Sequence, residues 1–163
     1  MTRIVLAFCL VLPRAAAAAA ELPEAIAAPG DIAVLQVHAE GAQIYECKAD
    51  AQGHLSWQFR EPIASLIQDG KTIGRHYAGP TWAIGDSVIT GKAVGRAPGK
   101  DAKDIPWLKL EVTDRHGGSP LSDVTTVQRI NTAGGNLDGE CPTADELRAE
   151  AYSADYVFLK KSN

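Results

Sequence analysis

From Gly30 onward, apolar and polar positions exchange with a period close to two, in short runs separated by turn residues. Ile32, Val34 and Val37 lie in the first run. In the second, Tyr45 and Cys47 alternate with Glu46 and Lys48, and in the third Leu55, Trp57 and Phe59 alternate with Ser56, Gln58 and Arg60. Such alternation puts one set of side chains on a buried face and the other in water. Asp50-Ala51-Gln52-Gly53, between the last two runs, has hairpin-turn chemistry. Further strands are expected at Thr72 to Tyr77, Ser87 to Ala93, Trp107 to Thr113, Val124 to Ile130 and Tyr152 to Leu159. About eight short strands at this spacing predict an all-β fold, an antiparallel β-sandwich or barrel. Tyr45, Trp57, Phe59, Leu108, Leu110, Val127, Tyr156 and Phe158 are its expected core. Trp107 and Leu108 have opposite parity, so at most one of them faces that core fully. Helix is scarce: Thr143-Ala144-Asp145-Glu146 fits a capping box and predicts a short helix or turn. The long crossover helices that a parallel sheet needs are missing.

The first residues follow a different pattern. A cationic start with Arg3, an apolar stretch from Ile4 to Leu12 and the alanine run Ala15 to Ala20 have the layout of a secretory signal. The apolar stretch is too short for a membrane span, which takes about 20 residues. Residues 1–20 are therefore expected to be a signal peptide cleaved after Ala20. An extended lead-in over 21–30 and a single β-rich domain over 31–163 follow, exported to the periplasm or the extracellular space. Loss of Arg3 and Arg14 leaves 14 basic against 20 acidic residues, a net charge of −6. With no stripe of Lys and Arg, nucleic acid is disfavoured as a partner. Cys47 and Cys141 are the two cysteines that remain after the leader. In an oxidising compartment they predict one disulfide.

Familiar catalytic motifs are echoed without being completed. Asp69-Gly70-Lys71-Thr72 resembles the end of a phosphate-binding loop, but Ser65 stands where the earlier glycine is required. Gly134-Gly135 with Gly139 makes no dinucleotide fingerprint. Gly85-Asp86-Ser87 resembles the opening block of the Gly-Asp-Ser esterases, in which the serine is the nucleophile. A serine needs an activating base; the last histidine is His116, and no Asp lies three residues before it to make the Asp-x-x-His of that family. The four histidines show no metal-ligand spacing, so no metal and no cofactor are expected.

The ordered set Gln43-Ile44-Tyr45-Glu46-Cys47, Trp57 with Pro62 and Leu66, Gly74 to Trp82, Ile105-Pro106-Trp107-Leu108, Gln128 to Gly135, Cys141 and Ala154-Asp155-Tyr156 resembles the secreted bacterial and fungal proteins grouped as domain of unknown function 3455. The resemblance covers about Asp31 to Lys160 and implies an exported, mostly β domain without an established activity. The family usually reads Asp-Gly-Ser near Asp86-Ser87, whereas here the glycine comes first. Some fungal relatives carry the name malate dehydrogenase. The chain has neither the fingerprint nor the length for that enzyme.

Three functions compete. The first is a non-enzymatic binding domain for an unidentified small molecule or envelope partner. Its candidate residues are His76, Trp82, Asp86, Trp107, Arg129, Asn131 and Thr132, aromatics and polar groups beside Pro- and Gly-rich junctions. A variant is an inhibitor of a cell-wall enzyme, by a loose likeness of Tyr45-Glu46-Cys47 to small β-barrel lysozyme inhibitors. The second is a hydrolase using Ser87, or an acid pair such as Asp86 and Asp155. The third is a stress-related or structural envelope protein. Convergence of His76, Trp82, Trp107 and Arg129 on one pocket would favour the first.

Overall fold

The computed structural model describes residues 22–162; the expected signal peptide lies outside them. Eight antiparallel strands close into one barrel in sequence order. They are β1 (Asp31–Ala49), β2 (Leu55–Gln68), β3 (Lys71–Tyr77), β4 (Thr81–Ile84), β5 (Ser87–Ala97), β6 (Trp107–His116), β7 (Thr126–Gly134) and β8 (Leu147–Lys161). Each strand pairs with its neighbour in sequence, and β8 returns to pair with β1. Closure leaves no sheet edge open. It decides between the barrel and the sandwich.

Two expected segments, around Val37 and around Tyr45, are one strand: β1 runs unbroken through Gly41 for 19 residues. In its place β4 appears, four residues long, directly after Gly79-Pro80. Asp50 builds the β1–β2 turn as its composition predicts. Its Oδ1 accepts from the backbone N–H of Gln52 and of His54, both at 2.9 Å. After Cys141 the chain makes turns and no helix.

Paired residues of an antiparallel ladder share a face, so the register names the interior. Leu108 lies opposite Arg129, Arg129 opposite Tyr156 and Tyr156 opposite Val37, an inward row across β6, β7, β8 and β1. A second row runs Ala64, His76, Trp82 and Ile89 across β2 to β5. Outward positions carry His38, Glu40, Lys92, Glu111 and Asp155; a barrel that crosses a bilayer instead presents an apolar band. Among the described residues no helix is long and apolar enough to cross a membrane.

The two ends of the barrel differ. At the end of the β4–β5 turn, the loop 117–125 folds inward and buries Leu121 and Val124 completely. Ser87 holds this plug: its hydroxyl donates to Gly118 O at 2.7 Å and accepts from the Leu121 N–H at 3.2 Å. Leu66, Ile89, Val127 and Phe158 pack above it. The lead-in, expected to be extended, forms a 3-10 turn over Glu24–Ile26. Ile26 is fully buried, and its carbonyl accepts from Gln128 Nε2 at 2.7 Å on the outer face of β7.

The other end is open. Phe59, expected in the core, is 53 % exposed because its inward side chain stands at this mouth. The Cys47–Cys141 disulfide, with Cα atoms 5.8 Å apart, ties the β7–β8 loop to the β1–β2 hairpin here. Backbone bonds from Cys47 N to Glu146 O (2.9 Å) and from Trp57 N to Gly139 O (3.1 Å) lie alongside it.

Candidate functional site

The open end of the barrel encloses a cavity of about 720 Å³, within the range of small-molecule sites. Its floor is aromatic. His76 stacks on Trp82 with centroids 4.8 Å apart and planes 15° apart, and lies 4.9 Å from the Tyr156 ring. Trp82 meets Tyr156 and Phe158 edge-on. Gly91 makes room for the indole: a Cβ there would lie 3.2 Å from Trp82 Cζ3. Trp57, Phe59 and Pro62 form one wall, Ala93, Leu110 and Leu108 the opposite one.

The polar groups on this floor are unusual for a barrel core. Arg129 is 9 % exposed, and no carboxylate of the described residues pairs with it. Its Nε and Nη2 donate to Pro106 O at 3.1 and 2.9 Å. A guanidinium has five N–H donors, so three remain. Gln43 Nε2, Trp82 Nε1 and the hydroxyls of Tyr152 and Tyr156 are buried without a hydrogen-bond partner among the described residues. Weak hydrogen bonds link Tyr152 to Gln43 and Tyr156, and Tyr156 to Arg129, but none of them has full hydrogen-bond geometry. A buried polar group left fully unpaired costs about 1–3 kcal/mol.

Burial sets the protonation states. Desolvation drives the His76 imidazole down to about 3 against the hydrogen bond to Thr81 O, with Arg129 pushing the same way as burial. The ring is neutral. Its Nδ1–H donates to Thr81 O at 2.9 Å, which leaves Nε2 as the lone-pair nitrogen. Desolvation likewise raises Tyr152 and Tyr156 above their ordinary value, so both keep their protons as donors.

The rim is held by side chains that look functional in sequence. Tyr45 donates to Gly135 O at 2.8 Å and accepts from Leu137 N at 3.3 Å. Thr132 donates to Ile105 O at 2.6 Å. With Arg129 on Pro106 O, these bonds lock the β5–β6 and β7–β8 loops around the mouth.

His76, Trp82 and Arg129 thus come together at the cavity and Thr132 stands at its rim, while the other sequence candidates lie elsewhere. Trp107 has the parity opposite to Leu108 and stands on the outward side of β6. Asp86 sits in the β4–β5 turn at the plugged end. Asn131, at positive φ, is exposed and donates to Asp155 Oδ2 at 2.9 Å, whose other oxygen lies 2.9 Å from His38 Nδ1. Asp86 and Asp155 form no acid pair, being at an end and on the outer wall respectively. Ser87 is fully buried and has only backbone partners, none of which can activate it. Among the described residues no group of three His, Cys, Asp or Glu is placed to hold a metal. Gln43, Tyr152 and Tyr156 were not among the candidates. Their one signal was inward parity, which reads equally well as core.

A comparison with curated proteins finds no match, and neither does a comparison with solved structures. The family model described as Protein of unknown function (DUF3455) matches residues 26–160, from the buried Ile26 into the last strand, and the chain belongs to that family.

Proposed function

We propose that this protein is an exported, non-enzymatic binding protein that takes a small molecule into the open end of its barrel. The supporting observation is the cavity itself, an aromatic-lined space that Arg129 shares with Gln43, Trp82 and Tyr156, three residues with buried, unpartnered polar atoms. Eight strands are the size at which a barrel interior holds a single small ligand. The plugged end and the disulfide at the mouth make the cavity rigid, which limits the ordering cost of binding. A disulfide also fits a protein that matures outside the reducing cytosol. A hydrolytic reading built on Ser87 lacks support, because its hydroxyl is spent on the plug.

Ala93 provides the test. It lies opposite Leu110, so its side chain faces inward, yet it is exposed because the cavity is open beside it. Ala93→Trp fills the cavity without displacing packed core. The expected result is a thermal-shift hit, from a screen of small metabolites and aromatic acids, that is weakened about tenfold or more in the variant, a loss of about 1.4 kcal/mol. Unchanged binding by Ala93→Trp would place the ligand outside the barrel.

A further inference from the structure

The charges around the cavity are asymmetric. Arg60, Arg96 and Arg129 line it, against the single carboxylate of Asp138. That carboxylate already accepts from Asn136 Nδ2 at 2.7 Å. Arg60 is partly committed to Glu61, 3.4 Å away, and Arg129 has no acidic partner among the described residues. A positive cavity in a chain of net charge −4 is not a consequence of composition.

The neutral groups point the same way. A buried charge without an opposite charge is strongly unfavourable, and Arg129 shares the cavity with neutral polar groups: the Tyr156 hydroxyl, the Gln43 amide and the Trp82 indole N–H, each able to donate. The acceptors beside it, such as the Tyr156 oxygen and His76 Nε2, are uncharged, so none neutralises the guanidinium. A guanidinium with N–H groups beyond those on Pro106 O and no carboxylate partner among the described residues is complementary to a group that only accepts, and an ionised acid is such a group. The remaining walls, Tyr45, Trp57, Phe59 and Leu108, suit a flat apolar body.

We propose that the ligand is an amphipathic organic anion. Its acidic head meets Arg129 and the Tyr156 hydroxyl on the floor, and its aromatic or apolar body lies between the Trp57 and Leu108 walls. This rests on the binding reading above and specifies the ligand class for that same cavity.

Two probes of nearly the same shape separate the ideas. 8-Anilinonaphthalene-1-sulfonate carries an anionic head, and N-phenyl-1-naphthylamine lacks it. Titration by fluorescence should show the sulfonate binding one to one and about tenfold or more tighter than the neutral amine. Arg129→Gln should remove that preference and leave the neutral probe unaffected. Because Arg129 also holds Pro106, Tyr156→Phe serves as a second variant. It deletes one unpaired hydroxyl, so the unliganded protein should be no less stable, while the sulfonate binds several-fold more weakly. Equal affinity of the two probes, or a preference untouched by both substitutions, would overturn the anion assignment and leave the binding reading standing. If neither probe binds the folded protein, the binding reading falls, and the anion assignment with it.

Discussion

Reduction of the Cys47–Cys141 bridge should lower the unfolding free energy by about 4–5 kcal/mol, the chain-entropy value for a closed loop of nearly a hundred residues. The two cysteines are 94 positions apart, so the bridge restricts most of the unfolded chain. A domain of this size has a total stability of about 5–15 kcal/mol, which makes the bridge a large fraction of it. The bond also sits at the mouth, where Cys141 fastens the β7–β8 loop to the β1–β2 hairpin, with Asp145 N bonded to Cys47 O at 2.9 Å. Its loss should therefore loosen the rim as well as the whole. Urea unfolding with and without reductant measures the effect, and a Cys47→Ser/Cys141→Ser double variant should match the reduced protein. A loss under about 1 kcal/mol would mean that the unfolded chain is already compact or the native bond strained.

Acid should weaken the fold through His76. The folded protein holds this imidazole neutral, with a value near 3, while in the unfolded chain it titrates near its ordinary value of about 6.5. As pH falls below 6.5 the unfolded chain takes up a proton that the folded barrel refuses. Stability therefore declines, by about 1.4 kcal/mol per pH unit once well below 6.5, to a loss of about 3 kcal/mol by pH 4. Above 6.5 both states are neutral and this contribution is flat. Trp82, Tyr156 and Arg129 face the ring, and none offers a carboxylate to rescue the charged form. His76→Phe keeps an aromatic ring in the stack and removes the titration. Its unfolding free energy should fall less steeply than that of the wild type between pH 6.5 and 5. If wild type and variant share one slope there, His76 is not the acid-sensitive group.

The barrel was largely legible because alternation is a property of each strand and survives without knowledge of its partners. The strand number agrees with expectation through two compensating differences. The β1 strand looked like two segments because Ala39, Gly41 and Ala42 are weak strand formers, whose place is secured by pairing with both β2 and β8. The β4 strand was hidden because four residues are too few to show a period, and Gly79-Pro80 reads as a loop. Closure into a barrel rather than a sandwich depends on β1–β8 pairing across the whole chain, which no local pattern records.

The site was legible in part for the same reason. His76, Trp82 and Arg129 stood out as chemistry on a β framework, and register brings them together. Tyr152 and Tyr156 alternate like ordinary core residues, and only the position of the plug tells which end of the barrel is packed. Leu121 and Val124 decide that by folding under the strands; Val124, expected to open a strand, lies in the loop before β7. Trp107 drew attention as an aromatic after Pro106, but parity gives the inward place to Leu108.

The three tryptophans divide conveniently for the decisive measurement: Trp82 on the cavity floor, Trp57 on its wall and Trp107 on the outward side of β6. Their indole N–H signals can be followed by 15N–1H NMR during titration with 8-anilinonaphthalene-1-sulfonate. Binding inside the barrel should shift Trp82 and Trp57 together with one saturation curve and leave Trp107 nearly still. A shift of Trp107 alone, or no shift of Trp82 at saturating probe, would contradict a ligand site inside the barrel.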